Sequence, residues 1–172
     1  DGCEVTIDNM VEHLNDIAGI RIICSFMSDI YPIADMIARQ ADITVLHVKD
    51  YIKYPKTNGY KSYHMVVTIP VYLSEGKRDT KVEIQIRTIA MDFWASLEHK
   101  IAYKFEGKAP DYLERELKSC ADMVDMLDMK MFSLNQAIMA VEEEERRVEE
   151  EKRREREKAE KRQEELAGNG PT

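Results

Sequence analysis

Residues 20–26 (IRIICSF) are apolar and β-branched apart from one arginine and one serine, which predicts a buried strand. Ahead of them, Met10, Val11 and Leu14 follow Asp8, a residue suited to cap a short helix over 8–15. Behind them, Ile30, Ile33, Ala34 and Ile37 recur at helical spacing, with Ser28 as the expected cap. Residues 43–52 (ITVLHVKDYI) predict a second strand, and a turn-rich stretch, 53–61 (KYPKTNGYK), leads into a third over 63–73. The polar residues 74–80 (SEGKRDT) join it to a fourth strand over 81–87 as a hairpin, so the sheet is expected to be mixed.

From residue 88 the period changes. Trp94, Leu97, Ile101 and Phe105 sit three to four apart and mark an amphipathic helix that stops near Gly107, with Trp94 in the core. Pro110 is suited to open the next helix. There Leu113, Leu117, Cys120, Val124, Leu127, Met131, Leu134, Ile138 and Val141 step alternately by four and three, a heptad seam that packs either on its own domain or on another subunit. At Glu145, Val148, Lys152 and Glu155 the stripe ends. Acid-first pairs four apart (Glu142/Arg146, Glu143/Arg147, Glu149/Arg153, Glu150/Arg154, Glu157/Lys161) add about 0.2–0.5 kcal/mol each and extend the helix into solvent. Residues 167–172 (AGNGPT) are expected to be disordered. The pattern predicts an α/β (α+β) fold: a mixed sheet of four to five strands flanked by helices, with a long C-terminal helix. Three segments follow from it: a globular domain over 1–107, a heptad helix over 108–141 and a charged tail over 142–172.

The net charge of −8 refines this picture. Residues 142–165 hold 12 acidic and 9 basic side chains, which leaves 21 and 16 elsewhere, so the globular part is itself mildly acidic. Broad attachment to nucleic acid or to anionic membranes is excluded, and any bound anion must be held by a local Lys/Arg cluster. No apolar run approaches membrane-spanning length. Cys3, Cys24 and Cys120 are odd in number and lack metal-ligand spacing, and Cys24 reads as a buried small hydrophobe. A cytoplasmic location is expected.

Candidate chemistry concentrates in residues 51–64 (YIKYPKTNGYKSYH). Gly59 permits positive φ, Lys53, Lys56 and Lys61 suit phosphates, and Tyr60 offers a flat face for a base. The same stretch also fits a tight turn with solvated lysines, because Asn58-Gly59 is a standard turn signal. In the fourth strand, alternation puts Val82, Ile84 and Ile86 on one face and Glu83, Gln85 and Arg87 on the other. That polar face suits metal binding, proton acceptance and phosphate clamping, or simply the solvated side of an antiparallel sheet. Asp16, at the entry to the first strand, gains meaning only if the fold brings it near Glu83. His13, His47 and His99 share no spacing.

The segments DIAGIRI (16–22), YPKTNGYKSYH (54–64), VEIQIRT (82–88) and MDFWASLEHKIAYK (91–104) resemble, in order and separation, the motifs of RelA/SpoT-type guanosine tetra- and pentaphosphate synthetases. The chain is similar to the small alarmone synthetases of that family. The resemblance implies a nucleotidyltransferase-like synthetase fold and transfer of the β,γ-pyrophosphate of ATP to the ribose 3′-hydroxyl of GDP or GTP, releasing AMP. It further implies Asp16 and Glu83 as Mg²⁺ ligands, with Glu83 also the base for the 3′-hydroxyl, and Tyr60 as the guanine stacker. Lys53, Lys56, Asn58, Ser62 and His64 would line the acceptor nucleotide, Gln85 and Arg87 would orient it, and Arg21 would lie against the ATP adenine. Small synthetases of this type are homotetramers joined through C-terminal helices, and a homo-oligomer is implied here. The family also grips ATP with a Lys/Arg-bearing segment ahead of the position of Asp16; residues 1–15 contain neither residue type, so weak or absent turnover by this chain alone is expected. The alternative reading is a non-catalytic guanine-nucleotide binding or sensing module.

Overall fold

The computed structural model describes residues 18–74, 76–105 and 110–168. The helix expected over 8–15, together with Cys3, His13 and Asp16, lies outside the described residues. The elements run β1 (Ala18–Cys24), α1 (Met27–Ala38), β2 (Thr44–Asp50), β3 (Tyr63–Leu73), β4 (Gly76–Thr88), α2 (Ile89–Lys104) and α3 (Asp111–Gly168). Four strands form one sheet in the order β1-β4-β3-β2. The β1–β4 pair is parallel and the other two pairs are antiparallel, as a hairpin inside a mixed sheet requires.

The core occupies one face of this sheet. Ile30 and Ala34 of α1 pack with Met65 and Val67 of β3 and Val82, Ile84 and Ile86 of β4. Burying each isoleucine or methionine contributes about 1.5–3 kcal/mol. The even-numbered residues of β4 therefore fix which way its odd-numbered residues point, and Glu83, Gln85 and Arg87 are turned to the opposite face. Cys24 lies in the core as expected.

Four local features differ from the sequence reading. β1 is an edge strand among the described residues, with Ile20 50% and Ile23 44% exposed, because only β4 flanks it. The cap of α1 is built by Asp29, not Ser28: the Phe26 N–H donates to Asp29 Oδ2 at 3.1 Å. The β3–β4 hairpin runs further than expected, pairing Leu73 with Gly76, since Gly76 (φ 121°) tolerates the tight reversal. Of the polar residues read as a turn, 76–80 are a solvated strand end, which has no need of apolar side chains. In α2, Met91, Trp94 and Ala95 form the buried face, whereas Leu97, Ile101 and Phe105 are exposed.

The chain divides into two compact units, Asp1–Lys130 and Met131–Thr172, so the first turns of α3 belong with the sheet. Pro110 stands just ahead of α3, and its carbonyl accepts the Leu113 and Glu114 N–H groups at 2.9 and 3.3 Å. Trp94 Nε1 donates to the Leu117 carbonyl at 3.0 Å, tying α2 to α3. Later seam residues, Leu134, Ile138 and Val141, are exposed. The helix continues through residues 167 and 168, where disorder was expected. Glu150 and Arg154 approach to 3.9 Å; Arg147 turns instead to Glu144 and Arg153 to Glu157.

Candidate functional site

Strand register places one polar row straight across the sheet. Arg21 of β1 lies opposite Gln85 of β4, Gln85 opposite His64 of β3, and His64 opposite Lys49 of β2. One step along β4, Glu83 faces Gly19 of β1, where an added Cβ would meet nothing within 4 Å among the described residues. On the β1 side Glu83 thus has no strand neighbour with a side chain, whereas Val66 stands opposite it on β3.

The row and its neighbours form a continuous hydrogen-bonded chain. His64 Nδ1 is 2.9 Å from Glu83 Oε1, and Gln85 Nε2 donates to Glu83 Oε2 at 2.9 Å. His64 Nε2 lies 2.8 Å from the Tyr60 hydroxyl. Arg87 Nη2 donates to that hydroxyl at 2.6 Å and to Gln85 Oε1 at 3.0 Å. Its Nε donates to Ser62 Oγ at 3.2 Å and its Nη1 to Asp92 Oδ1 at 3.1 Å. Arg21 reaches the same Asp92 oxygen at 3.2 Å. Arg87 is nearly buried, and its planar fork of five donors explains how one side chain serves four partners.

The loop before β3 presents Tyr60. Gly59 adopts φ 90°, and its N–H donates to the Lys56 carbonyl at 2.9 Å. Asn58 Oδ1 accepts the Tyr60 N–H at 3.1 Å, while Asn58 Nδ2 donates to Glu98 Oε1 at 3.3 Å. The Tyr60 ring packs edge-on to Tyr51 and His64, at centroid distances of 5.7 and 5.9 Å. Lys56 Nζ stands 4.8 Å from its centroid, and Arg87 Cζ 5.2 Å.

These groups open onto a cavity of about 620 Å³, in the size range of small-molecule sites. Arg21, Lys56, Asn58, Tyr60, His64, Gln85 and Arg87 line it, and α2 closes it with Ser96, Glu98, His99 and Lys100. Glu83 is held at the edge through His64 and Gln85. Two expected lining residues stand elsewhere. Ser62 is fully buried and acts from behind, accepting from Arg87 Nε. Lys53 sits 3.7 Å from Asp50 and 5.2 Å over the Tyr31 ring. Lys61, a third phosphate candidate, pairs with Asp125 at 2.6 Å. Asp16 lies outside the described residues. The sequence reading missed the α2 contribution and Asp92, although positions 92, 96 and 99 are polar and three to four apart opposite the apolar positions of that helix.

Electrostatics divide the site by protonation state. Burial lowers the pKa of His64 below the ordinary histidine value, against the opposing hydrogen bond and charge of Glu83, so the imidazole is neutral at pH 7. For Glu83, burial works to raise the pKa, but the hydrogen bonds from Gln85 and His64, the charge that His64 gains in acid and that of Lys49 outweigh it and lower it. The carboxylate is therefore ionised, and each of its oxygens accepts one hydrogen bond, leaving lone pairs for a further donor or a cation.

A polar cavity of this size on the face of a mixed sheet opposite the core, ringed by lysine, arginine and a tyrosine face, has the charge and shape of a small-molecule site in an α/β protein. The family model described as "Region found in RelA / SpoT proteins" matches residues 4–108, and the chain belongs to the RelA/SpoT family. It is 50% identical over 137 residues to the GTP pyrophosphokinase YwaC of Bacillus subtilis, which covers 80% of this chain and 65% of that protein. Among solved structures it is similar to small alarmone synthetase 2 of B. subtilis, with TM-score 0.73 and 48% identity, covering 80% of this chain and 71% of that one. It is also similar to small alarmone synthetase 1 of B. subtilis bound to its product pppGpp, with TM-score 0.72 and 39% identity, covering 75% and 66%. The chain spans just under two thirds of the length of YwaC and of a second B. subtilis relative, the GTP pyrophosphokinase YjbM. No described helix is long and apolar enough to cross a membrane.

Proposed function

We propose that this chain carries the catalytic domain of a GTP pyrophosphokinase, which moves the β,γ-pyrophosphate of ATP to the 3′-hydroxyl of GDP or GTP. The observation that carries the reading is the linkage of an aromatic shelf, Tyr60, through His64 to an ionised carboxylate, Glu83, beside one cavity. A purine stacked on Tyr60 gains about 1–3 kcal/mol and fixes its ribose relative to Glu83. Lys56 leaves the ring face to meet acceptor phosphates, and Arg87 and Gln85 orient the nucleotide. Glu83 takes the proton from the 3′-hydroxyl as that oxygen bonds to the β-phosphorus; the bond from the β-phosphorus to the bridging oxygen breaks, and AMP departs with it.

Arg21, a lining residue of the cavity with its side chain half exposed, is proposed to lie against the ATP adenine. Glu83, ionised and with a glycine as its neighbour on β1, fits one carboxylate position of a Mg²⁺ site, with Asp16 as the proposed second ligand. When bound, Mg²⁺ supplies charge neutralisation at the transferring phosphates. The exposed seam of α3 is proposed to join copies of the chain into a homo-oligomer.

The test is AMP and guanosine 3′-pyrophosphate formation from ATP, GDP and Mg²⁺, followed by chromatography. Glu83→Gln keeps the shape and removes the base, so turnover should fall about 10²–10⁴-fold while GDP binding measured by calorimetry persists. Unchanged turnover in that variant removes Glu83 from the reaction. Binding of GDP without AMP release by the unaltered chain supports the binding-module alternative instead.

A further inference from the structure

We infer that the first turns of α3, through Ala121, Asp125 and Asp128, are a positioning brace that sets the acceptor side of the cavity; this rests on the function proposed above. Two central site residues, Tyr60 and Arg87, are each followed in the chain by a residue fastened to α3. Lys61, next to Tyr60, pairs with Asp125 at 2.6 Å with both side chains about a quarter exposed. Thr88, next to Arg87 and fully buried, donates its hydroxyl proton to Asp128 Oδ2 at 2.6 Å. The same hydroxyl accepts the Met91 N–H at 3.1 Å, which caps α2. One carboxylate on α3 thus holds the junction from which Arg87 points one way and α2 leaves the other.

Between these anchors the loop lies directly on the helix. A Cβ added at Gly59 would collide with Ala121 and come within 3.1 Å of Lys118 Cδ. Tyr60 itself packs against the small cluster of Trp94, Ala95 and Ala121, together with Leu117 and Val124. The residual space among Gly59, Lys61, Trp94, Ala121 and Asp125 is about 20 Å³, room for no more than a water. The loop that presents Lys56, Asn58 and Tyr60 therefore has no freedom to retreat from the cavity while α3 is seated. None of the three brace residues lines the cavity, so their effect on a ligand passes through Tyr60 and Arg87.

A brace of this kind acts on one substrate. Loosening it at Asp125 or Ala121 unseats the tyrosine shelf, while Arg21 keeps its backbone pairing on β1 and its contact with Asp92. In the full chain, Asp125→Ala and Ala121→Leu should each raise the GDP dissociation constant by about tenfold, equivalent to roughly 1.4 kcal/mol, with the ATP KM changed less than twofold. Exchanging the charges, Lys61→Asp with Asp125→Lys, should restore most of the affinity lost by Asp125→Ala. Glu116→Gln, on an exposed turn of the same helix, is the control and should leave both constants unchanged. Melting temperatures are recorded for every variant. GDP affinity unaffected by either brace variant overturns the inference, as does a parallel loss for both nucleotides that follows the fall in melting temperature. Failure of the unaltered chain to bind GDP at all would instead sink the underlying functional reading.

Discussion

Arg87 joins Tyr60, Ser62, Gln85 and Asp92 with one guanidinium, and no other side chain can repeat that geometry. Lysine would keep the charge but offers a single ammonium that cannot bridge the tyrosine hydroxyl, the amide and the Asp92 carboxylate together. Arg87→Lys should therefore lower kcat/KM for the acceptor more than about tenfold, and it should cost several degrees of melting temperature because Asp92 loses its buried partner. Steady-state kinetics and calorimetric melting check the two parts; an unchanged acceptor KM would contradict the shelf role of Tyr60. At this scale much was legible in the sequence. Alternation alone put Glu83, Gln85 and Arg87 on one face, because a strand with Val82, Ile84 and Ile86 on the core side has no other arrangement. Ser62 and Lys61 were harder to place: the family resemblance put Ser62 at the acceptor nucleotide and its charge suited Lys61 to phosphates, and only the fold reveals that one lies beneath Arg87 and the other turns to α3.

Among elements, the joint between β4, α2 and α3 turns on Asp128. Burial first, and the negative charge of Asp125 after it, raise the Asp128 pKa against the Thr88 hydrogen bond and the nearby Lys61. A carboxyl whose pKa rises on folding gives its stability below the unfolded value, and that stability is lost as pH climbs through the folded one. Asp128→Asn keeps an oxygen for the Thr88 hydroxyl and removes the penalised charge. Its melting temperature should match the parent near pH 4 and exceed it by roughly 2–4 °C at pH 7. Scanning calorimetry across that range checks the sign, and a deficit at pH 7 would mean the charge itself holds the joint. The order and type of the described elements were readable from hydrophobic period, but not how α2 is rotated. Its apolar positions cover more than one face, and the period could not choose between the Met91–Trp94–Ala95 face and the Leu97–Ile101 face. That choice belongs to the sheet and to the Trp94 bond with α3, which are distant in sequence. The α2 side of the cavity was missed for the same reason.

Over the whole molecule, α3 is one helix that contains both the brace residues and an apolar seam left in solvent, with Leu127 57% and Leu134 53% exposed. An exposed heptad seam of this length is what a helix partner covers. Leu127→Glu combined with Leu134→Glu should reduce the mass measured by light scattering to that of one chain with melting temperature held; an unchanged mass would take the seam out of assembly. A last consequence follows from the parallel pairing of β1 with β4. Residues 56–100, which line most of the cavity, are nearly contiguous and close through a short hairpin, whereas Ala18 must find Val82, about sixty residues further along. Local contacts form first because little chain entropy is lost in closing them. During synthesis β1 is the earliest described strand to emerge and the last to find its neighbour, waiting roughly 3–12 s at ordinary translation rates. Throughout that interval Ile20 and Ile23 sit on an unpaired strand, so the nascent chain is most prone to aggregate before β4 has been made.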